Sequence, residues 1–479
     1  MVPRDLTNDA ARVVYADWLE ERGEGAAAAA LRAPRFTIRP RFRLRISPNR
    51  EPIVAPTRRS FEFPEPPFRL LVIGDFQGKV DNRPIEDRTQ REIDRDNFSR
   101  EMTDQRPGVT IDMNGQSVRV PFRRTSEMEA ANTQYVLARL TELAPEQRAE
   151  AERQLLFSSA FHKLEQRWHG LRALVHAAPA GAHVDFLNAS IEDLAADLDD
   201  AGDLKRWGFY RSVPGMNHPA MKPYTAFVFA DSFSYAAHPR LLKALADFGR
   251  HKNTVMLLPE PTEPRELSSP EIAGLLREPA AGYVAICASQ VIAPKGRPAS
   301  DPRGPLEVPA NFAVAARLLE SWEGANSGVS IDGVTETFNS SAPTSIQDWA
   351  SARSAGANRL LTNESSLCLL DSVVAGPSGR PNSLAARLLL TRIAHVAADI
   401  HLHISFAELA TLTDPAIMAA HIAERLAQRL ARVHVELSHP VWLEAPTGGD
   451  GGLLEVDMTV TSEALERPLV DRVILNFRN

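Results

Sequence analysis

Two histidines have the type and spacing to share a metal ion. His401 and His403 lie in the run Leu-His-Leu-His-Ile, and on a β-strand both side chains would point to the same face. No third ligand is evident, because the nearby His395 belongs to a predicted helix. We therefore predict no metal and no cofactor, and we keep a metal-dependent enzyme or binding module only as a distant alternative.

The other residues that could do chemistry lack the partners that chemistry needs. Asp75 opens Asp-Phe-Gln-Gly after an apolar run, but an aspartate at a strand end most simply accepts N–H groups of the following turn. Cys287 and Cys368 lie in apolar runs with no neighbouring histidine to lower a thiol pKa. A Walker loop, a GxGxxG fingerprint, a GxSxG elbow and an HExxH helix do not occur in the sequence. We expect no catalytic residues.

Composition narrows the class of protein. The chain has 479 residues, of which 44% are hydrophobic, so it can form two or more packed units. Its net charge of -7 argues against general nucleic-acid binding, which needs a cationic excess. Two cysteines are too few for a disulfide scaffold, and no apolar window is long enough to span a membrane. These features predict a cytoplasmic protein with no nucleic-acid partner and no membrane insertion.

The middle of the chain alternates between strand-like and helix-like segments. Residues 68–73, 184–189, 224–230 and 254–258 read as strands, and residues 192–199, 239–250 and 270–277 read as helices. Asn114-Gly115 predicts a tight hairpin turn. Two amphipathic helices are predicted at 383–398 and 415–430, and residues 293–309 read as a long loop. This order is typical of an α/β layered core.

Two further segments, one near each end of the chain, alternate like strands. In the first, apolar residues share one face and arginines the other, and Pro40 favours an edge or an arm. Either segment could add a strand to the sheet of a neighbouring subunit. Pairing within the same chain remains the alternative. The apolar positions are Phe36, Ile38, Phe42, Leu44, Ile46, Leu469, Val473, Leu475 and Phe477, and the basic face is Arg39, Arg41, Arg43 and Arg45.

Two motifs in fixed order resemble the contractile sheath of type VI secretion. Residues 66–78 read Pro-Pro-Phe-Arg-Leu-Leu-Val-Ile-Gly-Asp-Phe-Gln-Gly and are followed by Ile-Asp-Arg-Asp-Asn-Phe at 93–98, which is similar to the small sheath subunit. Residues 161–171 are similar to the F-x-x-L-E-x-x-W-x-G-L signature of the large subunit. The resemblance implies a structural role for the residues at the family's motif positions, which are Gly74, Asp75, Asp96, Asn97, Phe98, Leu164, Glu165, Trp168, Gly170, Asp231 and His395.

The resemblance implies a small subunit fused to a large one. Apolar residues at helical spacing predict an N-terminal helix and linker at 1–34. The resemblance implies a small-subunit-like region at 35–145 and a large-subunit-like region at 146–479, whose halves jointly form the layered α/β fold with extended terminal β-arms. It also implies a homo-oligomer, a six-fold helical tube that surrounds an inner-tube protein and contacts baseplate components. Ala-Asp-Ser at 230–232 replaces the family's Gly-Asp-Tyr. The family's large subunit has a long segment before the signature motif, whereas only a short helix of the large-subunit-like region precedes Phe161 here. A non-contractile tubular scaffold is therefore kept as the alternative.

Overall fold

The computed structural model shows a mixed α/β protein, as the sequence predicted. It describes residues 16, 28, 68–79, 81–213, 223–298, 300–321, 333–335, 337–340, 344, 346–354, 356–363, 366–369, 372–377, 383–402, 414–430, 433–444, 452–461 and 468–477. The predicted arm at 36–46 lies outside these residues.

The strands and helices are numbered in chain order. The strands are β1 Phe68–Gly74, β2 Arg91–Ile93, β3 Gly108–Met113, β4 Gln116–Pro121, β5 Ala182–Asn188, β6 Ala226–Phe229, β7 Val255–Pro259, β8 Val284–Ala288, β9 Gln290–Ile292, β10 Glu307–Pro309, β11 Gly333–Thr335, β12 Asn339–Ser340, β13 Ala357–Arg359, β14 Leu361–Asn363, β15 Ser366–Leu369, β16 His434–Glu444, β17 Gly452–Thr461 and β18 Leu469–Phe477. The helices are α1 Phe98–Gln105, α2 Ala130–Ala138, α3 Arg148–Leu156, α4 Ser159–Ala177, α5 Ile191–Ala201, α6 Gly208–Ser212, α7 Pro239–Lys252, α8 Pro270–Leu275, α9 Ala310–Glu320, α10 Ile346–Ser354, α11 Leu384–Leu402 and α12 Pro415–Arg429.

A seven-stranded sheet forms the centre of the protein, in the order β13-β8-β7-β6-β1-β5-β2. All neighbouring strands in it are parallel except β2, which pairs antiparallel with β5 at one edge. β1 is buried along almost its whole length, as expected for an apolar run in the interior of a parallel sheet.

Alternating residues of β1 enter two apolar cores, one on each face of the sheet. Leu70 and Val72 belong to the core that α4 and α9 cover, and this core extends to the β3–β4 hairpin. Leu71 and Ile73 belong to the opposite core, which α5, α6, α7 and α8 cover. Because side chains of a strand alternate between faces, one central strand ties the two cores together.

The C-terminal residues form a separate unit with its own apolar core. β16, β17 and β18 make an antiparallel sheet, and α11 and α12 supply the rest of this core. Both helices and the strand β18 were predicted. α11 runs further than expected, to Leu402, so His401 lies in a helix and the predicted strand through it is wrong. The side chain of His401 and all of His403 lie outside the described residues.

The remaining predictions about elements are mostly confirmed, with a few differences. β3 and β4 form the hairpin that Asn114-Gly115 predicts, and Asn114 has the positive φ of 58° that such a turn requires. The predicted loop at 293–309 ends in β10, which pairs with β9 to form a second hairpin. β2, β8, β9 and the short strands from β11 to β14 were not predicted.

Candidate functional site

The region before residue 146 and the region after it share the central sheet. β1 pairs with β5 from Phe68↔Ala182 to Gly74↔Asn188 and with β6 from Leu70↔Ala226 to Ile73↔Phe229. It therefore forms a parallel ladder on both of its edges. If β1 were removed, a gap would separate β5 from β6. The two regions therefore build a single sheet.

Trp168 on α4 packs against the motifs of the earlier region. Its indole Nε1–H donates to the carbonyl oxygen of Phe76 at 2.9 Å, and its side chain is fully buried. Its ring lies edge-on to Phe76 at 5.3 Å, to Phe98 at 5.8 Å and to Phe186 at 6.0 Å between centroids. Such aromatic pairs add stability beyond the area they bury. Both signature motifs thus meet around one indole ring.

Arg167, the residue before Trp168, joins two loops at the carboxyl ends of the central strands. Its Nε donates to Asp231 Oδ1 at 2.6 Å, and its Nη1 donates to the carbonyl oxygen of Asp75 at 2.7 Å. Nη1 also lies 3.7 Å from Asp75 Oδ2. The guanidinium therefore connects the end of β1 to the end of β6 through charge-assisted hydrogen bonds.

Asp75 caps the turn that follows β1, as predicted. Its Oδ1 accepts the N–H of Gly78 at 2.8 Å and that of Gln77 at 3.2 Å. Burial raises the pKa of this carboxyl, and the charge of Arg167 opposes the rise. The residue therefore serves as a turn acceptor and an ion-pair partner, with the geometry of a structural role.

Glu165 anchors the hairpin that β9 and β10 form. Its side chain is 1% exposed, and its Oε2 accepts from Arg297 Nη2 at 2.7 Å and from Arg303 Nη1 at 2.9 Å. Arg303 also pairs with Asp301 and donates to the carbonyl oxygen of Met128 at 3.3 Å. Burial raises the pKa of Glu165, and the two arginines oppose the rise. Nothing in the sequence pattern marks these arginines except their place in a loop rich in Pro and Gly.

The motif glycines allow close approach between elements. A Cβ on Gly170 would lie 2.7 Å from the ring of Phe312 on α9, and a Cβ on Gly74 would lie 2.9 Å from the Cβ of Ala230. Real Cβ atoms are not found at such distances, so each glycine lets two elements touch. Leu164, on the buried face of the same helix as Gly170, is fully buried.

Asp96, Asn97 and Phe98 lie at the start of α1. Asp94 Oδ1 accepts the N–H of Asp96 at 2.9 Å and that of Asn97 at 2.7 Å, while Asn97 Oδ1 accepts the N–H of Asp94 at 2.9 Å. This reciprocal turn directs Phe98 towards Trp168. The Asp96 side chain is exposed.

The C-terminal strand pairs within its own chain. β18 pairs with β17 from Leu469↔Val460 to Phe477↔Gly452, and the side chains of Leu469, Val473 and Leu475 are fully buried in the C-terminal core. This is the within-chain alternative that the sequence left open. The side chain of Phe477 lies outside the described residues. A role for these residues in subunit contacts stays a prediction.

The opposite strand of the C-terminal sheet has an open edge. Within the described part of the chain, β16 pairs only with β17. Val441 is 56% exposed and Leu443 is 47% exposed on this strand. An open edge with exposed apolar side chains is a template for pairing with another strand.

His395 joins the C-terminal unit to the central sheet. It lies on α11, its Nε2–H donates to the carbonyl oxygen of Asn253 at 2.9 Å, and burial lowers its pKa to about 3. The imidazole is therefore neutral at physiological pH and acts as a hydrogen-bond donor between units. No group of three or more histidine, cysteine, aspartate or glutamate side chains arranged to hold a metal occurs among the described residues. Within the same residues, no helix is long and apolar enough to cross a membrane.

Two family models match adjacent parts of the chain. Residues 57–150 match the family described as "Type VI secretion system, VipA, VC_A0107 or Hcp2", and residues 149–251 match "EvpB/VC_A0108, tail sheath N-terminal domain". The order, small subunit then large subunit, is the one predicted from the motifs. No curated protein sequence matches the chain.

Two solved structures are similar over most of the chain. The baseplate of the anti-feeding prophage, from a six-fold symmetrised cryo-EM structure, is 11% identical, covers 82% of this chain and 90% of that chain, and has a TM-score of 0.40. The helical sheath of the anti-feeding prophage in the contracted state is 10% identical, covers 86% of this chain and 90% of that chain, and has a TM-score of 0.38.

Proposed function

Because the chain joins a region of the small type VI secretion sheath subunit to a domain of the large one, we propose that it polymerises into a helical, sheath-like tube of a bacterial contractile injection apparatus. In this proposal copies of the chain contact each other, and the tube surrounds an inner-tube protein and meets baseplate components. The protein is cytoplasmic and structural, with no catalytic reaction of its own.

The position of β1 supports this proposal most directly. A strand from the small-subunit region lies in the middle of a sheet, between two strands of the large-subunit region. Trp168, Arg167 and Asp75 hold the same junction by packing and charge. The two regions therefore form one rigid building block with a fixed one-to-one ratio, which suits a repeating lattice.

The open edge of β16 is the contact that we propose between copies. The segment 36–46 of a second copy adds there as a further strand, with Phe36, Ile38 and Phe42 on its apolar side. Main-chain hydrogen bonds supply affinity, and the exposed Val441 and Leu443 offer apolar contacts. The arginine face of the segment offsets repulsion between copies that each carry a net charge of -7.

Negative-stain microscopy of the purified full-length protein tests the proposal. We expect tubes or stacked rings at high protein concentration. Deletion of residues 36–46 is expected to abolish them while leaving a folded monomer with unchanged circular dichroism. A matched variant has glutamine in place of Arg39, Arg41, Arg43 and Arg45. It keeps the apolar face of the segment, so it separates the contribution of that face to assembly from the contribution of charge. Only small particles for the wild-type protein under all conditions would overturn the proposal.

A further inference from the structure

The C-terminal unit is connected to the rest of the protein through one helix and a set of buried polar groups. Leu384 and Leu388, in the first turns of α11, belong to a core of the central sheet, whereas residues from Leu390 to Ile400 belong to the C-terminal core. A continuous helix fixes the distance between two units. How the C-terminal sheet is turned about that helix then depends on the side-chain contacts between this sheet and the rest of the protein.

Asn253 supplies three of those contacts from a single position. It ends α7 in the left-handed region, with φ of 48°, and is fully buried. Its Nδ2 donates to the carbonyl oxygen of Ile474 on β18, and its Oδ1 accepts from the hydroxyl of Tyr283 at 3.2 Å. Its own carbonyl oxygen accepts from His395 Nε2 at 2.9 Å. One residue thus connects α7, β18, α11 and the turn before β8.

Two ion pairs surround this residue and act between the same units. Arg387 on α11 pairs with Asp471 on β18, and its guanidinium lies 4.3 Å from the centre of the Tyr283 ring. Arg250 Nη2 on α7 lies 3.3 Å from Glu455 Oε2 on β17. Hydrogen bonds are directional, and buried polar groups favour an arrangement that keeps their partners in reach.

We propose that Asn253 is a positioning residue that sets the rotation of the C-terminal sheet about α11. The open edge of β16 belongs to that sheet, so its direction relative to the central sheet depends on this residue. The inference deepens the proposed function and rests on it, because the direction of the edge matters for assembly only if the edge is a contact. Asparagine suits the position, since it accepts positive φ more readily than most residues and offers both a donor and an acceptor.

A distance measurement in the monomer tests the orientation directly. Spin labels are placed at Glu271→Cys on α8 and Gln428→Cys on α12, in a Cys368→Ala background whose remaining cysteine is buried. Asn253→Gly keeps the left-handed backbone and removes both side-chain hydrogen bonds. We expect the distance distribution to shift and broaden. The control Asn114→Gly, at another positive-φ asparagine in an exposed turn, should leave it unchanged. An unchanged distribution in Asn253→Gly overturns the proposal.

A second variant and a second readout keep the test decisive. If Asn253→Gly does not fold, Asn253→Asp keeps the volume and the acceptor but replaces the donor to Ile474 with a carboxylate oxygen that faces its carbonyl oxygen, so a shift of the distance is again expected. Tubes of the variants are compared with wild-type tubes by helical diffraction, where we expect altered helical parameters or loss of order. Wild-type protein that forms no tubes refutes the proposed function, whereas the label distance still decides the role of Asn253.

Discussion

Removing the charge of Arg167 tests how the two sheath regions are held together. Arg167→Met keeps most of the apolar stem and leaves Asp231 without its partner at 2.6 Å and the Asp75 carbonyl without its partner at 2.7 Å. The arginine and aspartate side chains are 10% and 14% exposed, so solvent screens the pair little. Removing one partner of a buried ion pair typically costs about 3–5 kcal/mol, because the other charge stays buried and uncompensated.

Urea unfolding followed by circular dichroism measures that cost. The control Arg153→Met breaks an exposed pair with Glu150 and should change the free energy of unfolding by less than about 0.5 kcal/mol. Adding Asp231→Asn to Arg167→Met removes the uncompensated carboxylate charge. The double variant should recover about 1–3 kcal/mol of the free energy of unfolding, because neighbouring residues in contact are energetically coupled. An Arg167→Met protein as stable as the Arg153→Met control would refute the reasoning that this guanidinium joins the two regions.

Three further predictions concern packing, pH and the open edge. Gly170→Ala should lower the free energy of unfolding, since overpacking against Phe312 costs about 1–3 kcal/mol. The control Gly274→Ala has open space around the new methyl group, so its free energy of unfolding should rise by up to about 1 kcal/mol. Equal urea midpoints for the two variants would contradict this. Burial lowers the pKa of His169 to about 3, below its unfolded value, so stability should fall as pH drops below about 6.5. His169→Gln should flatten the slope of stability against pH by up to about 1.4 kcal/mol per pH unit, and an unchanged slope would count against a neutral buried ring. Val441→Lys should prevent tubes but leave the melting temperature unchanged, because the side chain is 56% exposed, whereas normal tubes would exclude this edge as a contact.

The elements of this fold were largely predictable because each has a strong local signal. The apolar run of β1, the Asn-Gly turn between β3 and β4, and the amphipathic α12 all follow from spacing and turn chemistry. β8 was missed because its short apolar run lies between proline-rich segments with no clear period. His401 was placed on a strand because Leu-His-Leu-His alternates, but the helical packing of α11 overrides that local pattern.

The junction between the two regions was only partly predictable. The motifs identified Trp168 and Asp75 as important positions, but which side chains they contact depends on the strand order of the sheet. Neither Arg297 nor Asn253 belongs to any motif. Arg297 contacts Glu165 and Asn253 contacts Ile474, and both partners are more than 100 positions away in the chain. Contacts of that kind leave no periodic trace in a sequence.

Cryo-EM reconstruction of assembled full-length protein tests the central claim most directly. The claim is that one chain supplies both sheath regions as a single building block of a tube. The expected result is a helical tube whose repeating unit is one chain, with β1 between β5 and β6 of that same chain. A protein that stays monomeric at high concentration, or a tube in which β1 lies outside that sheet, would contradict the account.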